Sequence, residues 1–202
     1  MKNHLLKNIL APIVALFVAF VALPQAAQAQ TKEAYVVENG ATLTFYYDAN
    51  KATRTGTVYG IDAKLTGSET IPAWAGGDKN RNTRITKVVF DNSFKDYKPT
   101  STANWFDSCS TLETIEGIEN LSTDQVTTMN NMFSSCSSLS TLDLKNFDTS
   151  NVTDMNGMFS SCSLSVNSRV TSSVEGTMTT PSGCLLRHSC VTLVNVLWLK
   201  RR

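Results

Sequence analysis

The sequence predicts an α/β fold built as a short solenoid, with one strand and one short helix per rung and a β-rich cap before the first rung. Three observations carry this. A block recurs almost three times, as Trp105-Phe106-x-x-Cys109, Met132-Phe133-x-x-Cys136 and Met158-Phe159-x-x-Cys162, with nearly equal intervals from cysteine to cysteine. Within each copy the apolar spacing begins helix-like and then moves towards alternation. Two β-rich runs precede the first copy. Repeats of this length are supersecondary units that bury their apolar faces only against one another.

The segment 1–29 reads as a secretory signal peptide. Lys2 and Lys7 precede an apolar run from Ile9 to Leu23, which is followed by Ala27-Gln28-Ala29. That order of charge, apolar stretch and small residues predicts cleavage between Ala29 and Gln30. The run is shorter than the roughly 20 residues of a membrane-spanning helix, so no transmembrane span is expected in the mature chain. No cysteine stands at the cleavage point, which argues against a lipid anchor. The expected location is outside the cell, secreted or at its surface.

Residues 30–84 are expected to form the β-rich cap and lead-in. Ala34-Tyr35-Val36-Val37 and Leu43-Thr44-Phe45-Tyr46-Tyr47 flank Glu38-Asn39-Gly40-Ala41, and Asn-Gly between β-rich runs signals a hairpin. A cap is needed because a first rung would otherwise expose an apolar face and an open strand edge. Trp74, Tyr46, Tyr47 and Tyr59 could anchor a ligand, but packing within the cap is their expected role.

Residues 85–164 are expected to form about two and a half rungs. Met129, Met132, Phe133 and Cys136 fall at i, i+3, i+4 and i+7, one face of a helix. Met155, Met158, Phe159 and Cys162 repeat the stripe, and Thr102, Trp105, Phe106 and Cys109 form a degenerate earlier copy. Thr100, Thr127 and Thr153 stand six residues before each repeat phenylalanine, where an N-cap hydroxyl is expected. Asp154 would favour the dipole of the third helix. After each helix a strand is expected, at Ile85-x-x-Val88-x-Phe90, Ile115-Glu116-Gly117-Ile118 and Leu142-Asp143-Leu144. Leu112 and Leu139 join the core, and Phe94, Leu121 and Phe147 recur at the corner.

The pattern breaks after Cys162. Leucine follows cysteine by three residues at Leu112 and Leu139 but by two at Leu164. From Ser165 to Arg202 five basic residues face the single acid Glu175, whereas Gln30 to Leu164 holds 11 basic and 16 acidic residues. Residues 165–202 are therefore read as an aberrant basic tail, frameshifted or disordered, with an unrelated C-terminal cap as the alternative. The acidic balance of the repeats excludes an electrostatic footprint for nucleic acid.

Catalysis and metal binding find little support. Two histidines, His4 and His188, lie outside the repeats, so no repeat-borne nucleophile–base pair can be assembled. Cys109, Cys136 and Cys162 lack Cys-x-x-Cys spacing, and Asp143, Asp148 and Asp154 follow no calcium-loop pattern. Neighbouring helices about 8–10 Å apart would also hold the three thiols beyond the roughly 7 Å between alpha carbons that a disulfide tolerates. They are read as small core residues. Cys184 and Cys190 could pair. No cofactor, no metal and no catalytic residue are assigned. Asp143, Lys145 and Asn146, with Glu116, Glu119 and Asn120 in the earlier rung, are expected to line the exposed strand side, where a partner could bind.

From Met132 to Met155 the chain reads Met-Phe-x-x-Cys-x-x-Leu-x-x-Leu-x-Leu-x-x-Phe-Asp-Thr-Ser-Asn-Val-Thr-Asp-Met. This stretch resembles the bacterial BspA-like leucine-rich-repeat surface proteins, and Leu43 to Asp48 resembles their lead-in regions. The resemblance implies an exported bacterial protein with a right-handed leucine-rich-repeat-like solenoid. It further implies protein–protein interaction or adhesion, in some members to host matrix proteins or other cells. The expected function is thus a non-enzymatic interaction protein. The alternatives are a truncated remnant of a longer adhesin without independent activity, and a secreted hydrolase, for which no acid/base or nucleophile pair is found.

Overall fold

The computed structural model of the chain describes residues 31–61, 71–77 and 81–163. Strands β1 (Glu33–Asn39), β2 (Thr42–Asp48), β3 (Thr57–Gly60), β4 (Lys87–Phe90) and β5 (Thr114–Glu116) form one mixed sheet in the order β3-β1-β2-β4-β5. β1 pairs antiparallel with β2 and with β3, whereas β2–β4 and β4–β5 are parallel. The hairpin register runs from Glu33↔Asp48 to Asn39↔Thr42, so Gly40 and Ala41 make the turn and Asn39 ends the strand. Gly40 takes φ +60°, the left-handed geometry such a tight reversal needs.

The expected solenoid of one strand and one short helix per rung is not what forms. Among the described residues there is no α-helix, only 3-10 turns at Lys51–Thr53, Ala73–Ala75, Asn92–Asp96 and Ile118–Asn120. Leu142-Asp143-Leu144 forms no strand either. The segments read as helices are tandem tight turns. In the second copy the amides of Met132, Ser134 and Cys136 donate to carbonyls three residues back, at 3.2, 3.1 and 3.2 Å. Between those turns stand Asn131 and Ser135 at φ 52° and 58°, matched by Asn104 and Ser108 before them and by Gly157 and Ser161 after. A left-handed residue at every fourth position bars a right-handed helix, and asparagine and glycine tolerate that backbone best.

The amides between the turns bond from copy to copy. Thr102, Asn104, Phe106 and Ser108 donate to the carbonyls of Thr128, Asn130, Met132 and Ser134 at 2.7–3.1 Å. Met129, Asn131, Phe133 and Ser135 donate in turn to Asp154, Asn156, Met158 and Ser160 at 2.7–2.9 Å. A helix would have used those donors internally. The threonines expected as N-caps serve this stack instead: the Thr127 and Thr153 hydroxyls donate to the carbonyls of Thr100 and Thr127, at 3.2 and 3.1 Å. Asp154 accepts from the Asn156 amide at 2.9 Å rather than meeting a helix dipole.

The stack has unlike ends. Before the first copy, the indole N–H of Trp74 donates to the Trp105 carbonyl at 2.9 Å. At the third copy, Met155, Gly157, Phe159 and Ser161 occupy the donor positions, and no acceptor meets their amides among the described residues. The side chains tell the same story. Thr123 accepts from the Asp148 amide at 2.8 Å and donates to the Asp148 carbonyl at 2.9 Å, while the buried hydroxyl of its counterpart Thr149 has no partner among the described residues.

One apolar core joins the β-rich segment to the repeats. Phe45 of β2 lies at its centre, 4.6 Å from Phe90, 5.4 Å from Trp105 and 5.8 Å from Phe106 between ring centroids. From there Phe106, Phe133 and Phe159 stack at 5.5 and 5.8 Å. Removing one such side chain from water contributes about 1.5–3 kcal/mol, and offset ring pairs add to that. The stack of copies therefore grows directly on the hairpin's core.

Candidate functional site

The repeat residues Trp105, Phe106, Cys109, Leu112, Met129, Met132, Phe133, Cys136, Leu139, Leu142, Leu144, Phe147, Met158, Phe159 and Cys162 are buried, and Ile115 and Met155 are half-buried. The three cysteines are free thiols. Burial, with Asp107 nearby, pushes the Cys109 thiol up to about 12, and burial alone brings Cys162 to about 12. Burial raises Cys136 further. Two of the thiol protons are engaged: Cys136 Sγ donates to the Phe106 carbonyl at 3.1 Å, and Cys162 Sγ to the Phe133 carbonyl at 2.6 Å. A thiol held protonated and apolar is a poor nucleophile or metal ligand. The helix spacing expected to separate these cysteines does not apply, since the copies are in direct hydrogen-bond contact. Among the described residues no group of three His, Cys, Asp or Glu side chains is placed to hold a metal ion.

The aromatic residues considered as ligand anchors are committed elsewhere. Trp74 is fully buried. Tyr59 donates to Glu38 at 2.7 Å, and Glu38 also pairs with Arg84 at 2.8 Å. Tyr46 is covered by the Arg54 guanidinium, 3.7 Å from its ring centroid, and stacks on Tyr35. Tyr47 lies against Tyr97 at 5.5 Å. Tyr35 in turn donates to Asp48 at 2.5 Å, and Asp48 pairs with Arg54 at 2.6 Å. Burial and the Asp48 hydrogen bond push the Tyr35 hydroxyl up to about 12.

The concave surface lies on the strand side of the second and third copies. A groove of about 530 Å³ runs between β5 and residues 141–145, floored by Ile115, Ile118 and Leu142 and rimmed by Glu119, Asp143 and Lys145. A smaller hollow of about 270 Å³ adjoins it at Glu119 and is lined by Asn120, Asn146, Lys98 and Asp124. The structure thus brings five of the six predicted polar residues to two adjoining hollows. Glu116 does not line them; it pairs with Lys87 at 2.8 Å. Asn120 also braces the fold, donating to the Phe90 carbonyl at 2.9 Å. Lys98 and Asp124 escaped notice in the sequence. They pair at 3.0 Å, and their separation along the chain, the same as that from Cys136 to Cys162, was the available signal. Hydrogen bonds from Ser122 and Lys98 hold the Asp124 carboxyl below its usual range.

The hydrogen-bonded copies of the Met-Phe-x-x-Cys block lie in the part of the chain that resembles a known family. Residues 84–180 match the family described as Mycoplasma protein of unknown function, DUF285. The DUF285 match opens just before β4, takes in all three copies and continues past Leu164, where the leucine spacing changes. No curated protein and no solved structure matches the chain. The signal segment, the Ala29–Gln30 cleavage point and the basic tail from Ser165, with its Cys184 and Cys190, lie outside the described residues. Among the described residues no helix is long and apolar enough to cross a membrane.

Proposed function

We propose that this chain is an exported, non-enzymatic binding protein that recognises a protein partner, a host matrix protein or another cell surface, through the strand side of its repeats. The observation that carries the reading is the pair of adjoining hollows, which place charged side chains of consecutive copies around an apolar floor. Apolar contact rimmed by polar groups is the composition of a protein-binding surface. The signal-like segment 1–29 supports export, and the DUF285 match agrees with a repeat protein. The buried, protonated repeat cysteines favour packing over chemistry.

The test is solid-phase binding of the full chain to a panel of immobilised matrix proteins, together with N-terminal sequencing of the protein recovered outside a bacterial host. Saturable binding weakened by charge reversal at Asp143 and Lys145, and a product beginning at Gln30, are the expected results. Retention inside the cell with an intact N-terminus, or binding indifferent to those reversals, would refute the proposal.

A further inference from the structure

We propose that the outer edge of β5, with the groove beside it, binds a short extended peptide rich in lysine or arginine by strand addition. This rests on the strand side being the interaction surface, and it specifies both the mode and the ligand.

The backbone makes the first argument. β5 is the terminal strand of the sheet. Its Thr114 amide donates towards β4, to the Thr86 carbonyl at 3.2 Å. Alternation along a strand then turns the amide and carbonyl of Ile115 to the opposite edge. By repeat register the third copy should cover that edge with residues 141–144, yet these make no bridge to β5. The second and third copies are therefore joined along their turns by the amides of Met129, Asn131, Phe133 and Ser135, and on either side of the strand segment by Ser138 to Ser110 and Thr123 to Asp148, while β5 and residues 141–144 share no main-chain bond. The groove is the gap between them.

An unpaired strand edge is a template for another strand, and an extended peptide on such an edge gains main-chain bonds together with side-chain pockets. β5 has three residues, so the added segment is short, on the order of three to five residues at about 3.3 Å each. Ile115, Ile118 and Leu142 offer the apolar floor for its inward side chains.

Charge selects the occupant. Around the edge and its two hollows stand six acids, Glu113, Glu116, Glu119, Asp124, Asp143 and Asp148, against four lysines, Lys87, Lys95, Lys98 and Lys145. Three of these lysines are engaged, Lys87 with Glu116 at 2.8 Å, Lys98 with Asp124 at 3.0 Å and Lys145 with Asp143 at 3.1 Å, which leaves Lys95 at the far hollow and an acidic balance around β5. Among the described residues no basic side chain pairs with Glu113 or Glu119. A peptide alternating lysine with a β-branched residue would place cations at these carboxylates and apolar groups on the groove floor.

The probe is a fluorescein-labelled Lys-Val-Lys-Val-Lys peptide titrated into the full chain by fluorescence polarisation. Two control peptides accompany it: Glu-Val-Glu-Val-Glu, and the lysine peptide N-methylated at alternate amides. We expect saturable binding of the lysine peptide, weakened by added salt. N-methylation should weaken it at least about tenfold because it blocks the main-chain bonds. Glu119→Gln, an exposed change, should weaken it by about two- to fivefold. No saturation, equal binding of the N-methylated peptide, equal binding of the acidic peptide, or an unchanged Glu119→Gln titration each overturns the inference. If the chain still binds its matrix protein while the peptide fails, strand addition falls and the broader reading stands. If both fail, the broader reading falls too.

Discussion

Phe133 is the side chain on which the repeat stack can be judged. It is fully buried, and its ring lies 5.5 Å from Phe106 on one side and 5.8 Å from Phe159 on the other, at interplanar angles of 20° and 2°. Phe133→Ala removes the ring between two neighbours that are themselves hydrogen-bonded through the copy-to-copy ladder, so the site cannot collapse freely. The expected cost is about 3–5 kcal/mol. Against a typical domain stability of about 5–15 kcal/mol, that is enough to unfold a small repeat stack at moderate temperature. Phe133→Leu keeps most of the apolar volume but deletes two ring pairs, each worth about 0.5–1.5 kcal/mol, so about 1–3 kcal/mol should be lost. Phe159→Ala should cost less than Phe133→Ala, since Phe159 has one ring neighbour among the described residues and is 7% exposed. The assay is urea unfolding followed by tryptophan emission, with Trp74 and Trp105 as buried reporters. Midpoints should shift in the order given while the denaturant slope stays constant. A Phe133→Ala loss under about 1 kcal/mol, or a Leu variant as damaged as the Ala variant, would refute the stacking argument.

Four further outcomes are expected. Gly117→Ala should destabilise more than Gly40→Ala in the same unfolding assay. Both residues have positive φ, +66° and +60°, but a methyl at 117 would collide with the Phe90 carbonyl oxygen, whereas nothing lies within 4 Å at 40. Maleimide should leave Cys109, Cys136 and Cys162 unlabelled in the native chain and label all three in guanidinium, as mass spectrometry of the digested protein would show; rapid native labelling would contradict their packing. Amide hydrogen exchange should be faster at Met155, Gly157, Phe159 and Ser161 than at Met129, Asn131, Phe133 and Ser135, and equal protection would show that the last copy's donors are bonded. Finally, burial raises the Asp48 carboxyl, but hydrogen bonds from Tyr35, the Asn50 amide and Arg54 outweigh this and leave it below its ordinary 3.8. A depressed folded value means stability is present above the ordinary value and is lost as pH falls through the folded one. Thermal melting temperature should therefore drop as pH falls below about 3.8, with a shallower drop in Asp48→Asn.

The sequence by itself marked most of the repeat's apolar interior, with Ile115 and Met155 only half-buried. A block of methionine, phenylalanine, cysteine and leucine recurring at a nearly constant interval marks an interior whatever backbone carries it, because burial depends on side-chain chemistry. It also marked the hairpin, since Asn39-Gly40 states a local backbone requirement, and five of the polar residues around the two hollows. Tertiary structure alone decided the backbone that carries the repeat. Apolar residues at i, i+3, i+4 and i+7 suit a helix, but tandem tight turns show the same spacing. What separates the two is where the amides of Asn104, Asn131 and their neighbours find acceptors, which is in the next copy of the repeat. Asn, Ser and Gly at the left-handed positions hinted at this, yet weak helix propensity alone does not exclude a helix. The grooves were equally illegible, because a gap on the strand side arises from how consecutive copies splay and not from any one segment. Local spacing records what a side chain needs; the partner of a backbone amide is a property of the assembled chain.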